Sequence, residues 1–209
     1  MTDRAAESVN SEKSEVGRQG ILNAAALLFR QHGYSGVSLR AVAQGAGIKA
    51  GSIYYHFASK DEIVTEILNA GILAVHTEVI AAVDALPDTA PAATVIHAAL
   101  RGHLRSLLEH GDYTSANVRI FGQVPEAVRD ANLSARRSYE TYLDGLLSAL
   151  QAEGGLRGDI QISRIRLMLI GALNATLEWF DPAKGGVDAL ADDYADILLN
   201  GLLAQNGAR

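Results

Sequence analysis

Two sets of side chains in this 209-residue chain could do chemistry: six scattered histidines, and one compact run, Lys49-Ala50-Gly51-Ser52-Ile53-Tyr54-Tyr55-His56. The histidines (32, 56, 76, 97, 103 and 110) include no i,i+4 pair and no His-Glu-x-x-His, so the spacing of a zinc hydrolase is absent. His103 and His110 share a helical face, but two turns of rise, about 10 Å, keep them from one metal. The chain has no cysteine, which excludes thiolate nucleophiles and disulfides and suits a reducing cytoplasm. No Gly-x-Ser-x-Gly elbow occurs. Gly45-x-Gly47 lies between helical patterns with no strand before it, so it is not a dinucleotide loop. The expectation is no catalytic residue, no metal, no cofactor and no turnover.

The compact run suits a different task. Lys49 supplies a cation, and Ser52, Tyr54, Tyr55 and His56 supply hydrogen-bonding groups for phosphates or base edges. Gly51 removes bulk where a duplex backbone would approach. Lys60 follows closely and can pair with a phosphate. The other reading makes Tyr54 and Phe57 core aromatics and His56 a cap. Phe57 is expected in the core, Tyr54 is divided between core and nucleic acid, and Tyr55 is the better contact. Charge agrees with an interface at one end. The net charge is −6, yet residues 1–60 carry seven Lys/Arg against four Asp/Glu, with no acid from 16 to 60.

The elements that must position this run are helices, since apolar periodicity near 3.6 dominates and strand alternation is poor. Residues 1–13 read as a disordered tail. A first helix over 14–31 turns Ile21, Ala25, Leu28 and Phe29 to one face, and Gly33 ends it. Ser38 caps a short helix over 39–44, Gly45-Ala46-Gly47 turns the chain, and a second short helix covers 49–56. Ser59 and Glu62 form a capping box for a long helix reaching about residue 86. Further helices are expected over 92–110, 113–121, 125–153, 162–180 and 187–203, about nine in all. The most apolar stretch, 160–180, is broken by Arg164, Arg166, Asn174 and Glu178. It therefore reads as a core helix, not a membrane span, and no secretory signal is visible. A cytoplasmic protein with no membrane partner is expected.

Two short helices across a glycine turn, braced by a longer one, describe a helix-turn-helix. The residues Gly33-Tyr34, Ser38-Leu39-Arg40-Ala41-Val42-Ala43, Ala46-Gly47-Ile48 and Gly51 through Ile63 resemble the N-terminal domain of the TetR family of transcriptional regulators. The resemblance covers about 45–50 residues, with Tyr-x-His-Phe and Ser-Lys-Asp-Glu in register. It implies an all-α fold: a three-helix DNA-binding domain at 14–58 and a ligand-sensing and dimerisation domain at 59–209. It implies phosphate contacts from Ser38, Tyr55 and Lys60, and base or backbone contacts from Lys49, Gly51, Ser52, Tyr54 and His56. It also implies a homodimeric repressor that binds palindromic operator DNA and is released by a small molecule.

Beyond residue 85 the resemblance fades. Broad apolar stripes on the last two helices predict a dimer interface from Ile165, Leu169, Leu173, Leu177, Tyr194, Ile197, Leu198 and Leu202. An intrachain core is the other reading of the same stripes. An effector site between the middle helices would draw on His103, Tyr113, Asn117, Phe121, Arg136, Tyr139, Tyr142, Asn174 and Trp179. The segment Leu177 to Pro182 is loosely similar to regulators of lipid, steroid or acyl-thioester catabolism, which implies a hydrophobic or acyl-CoA-like effector. A helical dimer without DNA binding would explain the apolar C-terminal helices, but neither the acid-free segment nor the compact run.

Overall fold

The computed structural model describes residues 2–109 and 111–202, with backbone alone for 2–13 and 202. Among these residues there is no strand. The elements are α1 (Thr2–His32), α2 (Leu39–Gly45), a 3₁₀ turn (Ala50–Tyr55), α3 (Lys60–Asp84), α4 (Ala92–Leu108) and α5 (Asp112–Ile120). They continue with α6 (Glu126–Ala152), α7 (Ile162–Ala175), 3₁₀ turns at Thr176–Glu178 and Pro182–Lys184, and α8 (Val187–Leu202). The fold is all-α as expected, with three local differences. The backbone of residues 2–13 continues α1 as helix, in keeping with its Ala, Glu, Lys and Arg content. The segment after Lys49 is a 3₁₀ turn rather than an α-helix. The helix expected over 162–180 ends at Ala175, and Thr176 Oγ1 donates to the Leu173 carbonyl at 2.6 Å where the chain tightens.

Two compact units form, neither of them a linear segment: Met1–Gly71 with Asp112–Leu133, and Ile72–Gly111 with Ser134–Arg209. In the first, α1 packs on α2 and α5. Its core holds Ile21, Ala25, Phe29, Val42, Ala43, Ile53, Phe57, Ile63, Ile67, Ala116 and Ile120. Full burial of side chains such as Phe29 and Phe57 contributes about 1.5–3 kcal/mol each. Local sequence sets the joints. Ser38 takes extended backbone and its Oγ accepts from Ala41 N at 3.2 Å, closing the start of α2. Gly33 and Gly47 both adopt φ +69°, ending α1 and turning the chain after α2. Ser59 Oγ accepts from Glu62 N, and the Glu62 carboxylate accepts from Ala58 N at 2.7 Å, a capping box displaced by one residue.

In the second unit, α4 packs on α7 and α8 around Ile96, Leu100, Leu104, Leu147, Leu156, Ile165, Leu169, Leu173 and Ala191. A smaller cluster gathers Val75, Val79, Tyr139 and Leu143. Arg105 is bidentate on Asp188, tying α4 to α8, and Arg166 pairs with Glu140 and Asp144, tying α7 to α6. By length and composition α3 is apolar enough to cross a membrane. Its Ile63, Val64, Ile67 and Leu68 are instead fully buried in the first unit's core, and Val75 and Val79 are buried in the second's.

Candidate DNA interface and effector site

In the first unit, Ile53 is fully buried and Phe57 is 2% exposed, so these two pin the 3₁₀ turn to the core. Everything between and around them turns outward. Tyr54 is 63% and Tyr55 87% exposed, which resolves Tyr54 in favour of the surface. Lys49, Gly51 and Ser38 are exposed, and Ser52 and His56 are half-buried. A Cβ built on Gly51 would meet nothing within 4 Å, leaving backbone open to an approaching surface. The His56 ring leans on α1, with Cε1 3.3 Å from where a Gly17 Cβ would stand. Ser38 Oγ accepts from Ala41 N in the α2 cap, which leaves its O–H able to donate outward.

The basic residues of segment 16–60 divide sharply. Arg18 pairs with Glu66 and lies 4.5 Å over the Phe57 ring, and Arg30 pairs with Asp112 at 2.7 Å. Lys60 points inward: its ammonium donates to the Tyr34 carbonyl and sits 3.9 Å over the Tyr34 ring. Burial lowers its pKa, opposed by Asp61. Burial, then the bond to Asp61, raises the Tyr34 phenol to about 12. Arg40 and Lys49 are the exposed cations of this segment that form no ion pair among the described residues. Sequence reasoning passed over Arg40, although its place in the first turn after the Ser38 cap was a usable signal.

In the second unit, a cavity of about 30 Å³ is lined by eleven residues of α4, α6 and α7, with His103 and Tyr139 its polar members. Each of the two is 4% exposed. His103 Nδ1 lies 2.8 Å from the Tyr139 hydroxyl, and Nε2 lies 3.2 Å from Asn174 Oδ1. Burial lowers the His103 pKa to about 4, opposed by the hydrogen bond to Asn174, so the imidazole is neutral. Burial also raises the Tyr139 phenol. His76, absent from the expected set, packs its ring 5.4 Å from Tyr139 and 5.3 Å from Tyr142, with Nε2 buried and unbonded.

The structure thus brings three expected effector residues together: His103, Tyr139 and Asn174. Tyr142 joins them through His76. Arg136 is half-buried on α6 outside the cavity, where burial lowers its pKa. Trp179 is 55% exposed beside Tyr194. Three others belong to the first unit and brace it. Tyr113 bonds Gln19 and Asn23, Asn117 donates to the Leu68 carbonyl, and Phe121 packs on the Phe29 core.

The expected interface needs correction. Ile165, Leu169 and Leu173 are 1%, 8% and 3% exposed because their own chain's core consumes that face of α7. Leu177, Tyr194 and Leu198 are half-buried, and Ile197 is 71% exposed. The side chain of Leu202 lies outside the described residues. Leu167 (63%) and Met168 (43%), which the sequence reading passed over, are the exposed large apolar residues of α7 among those described. Among the described residues no group of three His, Asp or Glu is placed to hold a metal ion.

Comparison with known proteins agrees with this architecture. Residues 21–67 match the family model for bacterial regulatory proteins of the tetR family, and residues 89–202 match the tetracyclin repressor-like C-terminal domain. The chain is 46% identical over 66 residues to the HTH-type transcriptional repressor KstR2 of Mycobacterium tuberculosis (strain CDC 1551 / Oshkosh), a match spanning 32% of this chain and 30% of that protein. It is 27% identical to KstR2 of Rhodococcus jostii (strain RHA1), over 97% of this chain and 98% of that protein. AibR, in a structure that holds isovaleryl coenzyme A and operator DNA, shares the fold with a TM-score of 0.75 and 19% identity, over 91% of this chain and all of that one. The chain belongs to the TetR family, whose members are transcription regulators and not enzymes.

Proposed function

We propose that the protein is a cytoplasmic homodimeric repressor that binds a palindromic operator and leaves it when a small hydrophobic or acyl-CoA-like effector binds. The observation that carries this reading is the outward cluster Lys49, Gly51, Ser52, Tyr54 and Tyr55 on a capped helix-turn-helix, its side chains uncommitted among the described residues. Residues 14–58 are the DNA-binding domain and 59–209 the sensing and dimerisation domain. Lys49, Ser52, Tyr54 and His56 face the bases and sugar-phosphate edge, and Ser38, Arg40 and Tyr55 face phosphates. Lys60 is assigned to bracing Tyr34, since its ammonium is already engaged.

Two copies pair through the exposed apolar residues of α7 and α8, Leu167, Met168 and Ile197, with Leu177, Tyr194 and Leu198 behind them. Two-fold pairing sets two recognition turns about 34–36 Å apart, one turn of B-DNA. The effector occupies the cavity beside His103, Tyr139 and Asn174, and shifts the population toward a spacing that no longer fits. The acyl-CoA class is favoured by the isovaleryl coenzyme A held by AibR.

The test is a fluorescence-anisotropy titration of the purified chain on duplex DNA from upstream of its own gene. An unrelated duplex of equal length is the control. Tight binding to the first and at least about a thousand-fold weaker binding to the second is expected. Equal affinity for the two, together with no enriched sequence in a genome-wide selection, overturns the reading.

A further inference from the structure

The cavity in the second unit has a polar end with a specific hydrogen-bond order. Asn174 Oδ1 only accepts, so His103 Nε2 carries the proton and donates to it. Nδ1 is then an acceptor, and the Tyr139 hydroxyl donates to it at 2.8 Å. The other lining residues are aliphatic, among them Ile96 and Leu100 of α4, Leu143 and Leu147 of α6, and Leu169 and Leu173 of α7. At about 30 Å³ the cavity is water-sized, and Leu146 and Ile170, both half-buried, are the walls with room to swing outward.

We infer that the effector buries in this cavity an aliphatic segment bearing one hydroxyl, which inserts between Tyr139 and His103. The inference rests on the regulator reading above and names the chemistry of its ligand. A ligand that enlarges the cavity at its polar end separates Tyr139 from His103. A hydrocarbon would leave both groups buried and unpaired, which costs affinity. A ketone accepts from Tyr139 but leaves His103 Nδ1 without a donor. A hydroxyl accepts from Tyr139 and donates to Nδ1, restoring both bonds. A carboxylate is excluded because no cation lines the cavity, while Arg105 is engaged with Asp188 and Arg166 with Glu140 and Asp144. The same exchange replaces the direct bond between α4 and α6 by a ligand-bridged one.

The experiment uses the full chain near neutral pH with four six-carbon probes: 1-hexanol, 2-hexanone, hexane and hexanoate. Binding is read by titration calorimetry and thermal shift. Hexanol is expected to bind about fivefold more tightly than hexanone, the value of one net hydrogen bond. Hexane and hexanoate should be weaker again. Tyr139→Phe keeps the ring and removes the donor that both probes use, so it should weaken both, bring hexanone down to hexane and leave hexanol its lead. His103→Leu removes the acceptor that only a hydroxyl uses, so it should level hexanol with hexanone, and the loss of hexanone's lead over hexane in Tyr139→Phe carries the test if His103→Leu does not fold. Hexanoate binding as tightly as hexanol, a hexanol preference that survives His103→Leu, a lead of hexanone over hexane that survives Tyr139→Phe, or no saturable hexanol binding each overturns the inference. Any of these alongside sequence-specific DNA binding leaves the regulator reading standing; loss of that DNA binding in the wild type is what overturns the latter.

Discussion

Lys60 donates its ammonium to the carbonyl of Tyr34 and lies 3.9 Å from the centroid of the same residue's ring. One side chain at the start of α3 thereby fixes the loop that leaves α1, and Gln123 Oε1 holds that loop from the other side by accepting from Tyr34 N at 2.9 Å. A charged hydrogen bond and a cation–π contact together are worth about 1–3 kcal/mol. Lys60→Ala should lower the melting temperature by roughly 3–8 °C. Its DNA affinity should keep the wild-type salt slope, because a brace is lost and no phosphate contact. A slope reduced by about one, with an unchanged melting temperature, would return Lys60 to the phosphates.

Two glycines separate packing from recognition. A Cβ on Gly71 would stand 2.5 Å from the Tyr113 carbonyl oxygen, a backbone atom that cannot swing away, whereas one on Gly51 meets nothing within 4 Å. Gly71→Ala should destabilise by about 1–3 kcal/mol in urea unfolding. Gly51→Ala should change stability by less than about 0.5 kcal/mol. Its operator affinity should nevertheless fall roughly tenfold, since the added methyl stands where the duplex approaches. Undiminished affinity in Gly51→Ala would remove Gly51 from the interface.

Stability should decline in mild acid because of His103. Its folded pKa of about 4 lies below the usual value of 6.5. Between those values the unfolded chain binds a proton that the folded chain does not. The contribution is fully present above about pH 6.5 and falls progressively toward pH 4, by up to roughly 3 kcal/mol. His76, also lowered by burial, adds in the same direction. Urea unfolding of wild type and His103→Gln at neutral and acid pH measures the difference. A pH dependence that is identical in the two proteins would show His103 protonating freely in the folded state.

The helix-turn-helix was largely legible in the sequence. Its signals are local: the Ser38 cap, the Gly47 turn, the buried Ile53 and Phe57, and the Ser59–Glu62 capping box each act within a few residues. What stayed hidden depends on which distant surfaces meet. Periodicity on α7 showed that Ile165, Leu169 and Leu173 must be buried, but not whether against a partner or against α4 and α8. The strongest stripe is the one a single chain needs for its own core, so a pairing surface is better sought in the weaker, outward residues Leu167 and Ile197. An effector site expected between the middle helices draws Tyr113, Asn117 and Phe121 together with His103, yet residues 112–133 join the first unit through contacts some 50–90 positions away. Arg18 and Arg30 were counted toward a basic surface, and only the fold reveals Glu66 and Asp112 beside them.

The proposed pairing through the outer face of α7 and α8 has a direct consequence. Ile197→Glu with Leu167→Glu should leave the helical circular dichroism intact and convert a dimer into a monomer in sedimentation velocity. Leu173→Ala, by contrast, should cost about 2–5 kcal/mol of stability, because that residue fills the chain's own core. A double variant that still sediments as a dimer would place the interface elsewhere.

The most direct test of the central claim is operator affinity at several salt concentrations for wild type and the Lys49→Ala, Tyr55→Ala double variant. Both residues are exposed and outside the core, so the variant should match wild type in melting temperature. Wild type should bind its operator tightly, with affinity falling steeply as salt rises. The variant should lose at least about a hundredfold in affinity, with a shallower slope from the missing Lys49 charge. Equal affinity and equal slope in the two proteins would contradict the account, because the side chains on which the DNA interface rests would then contribute nothing to binding.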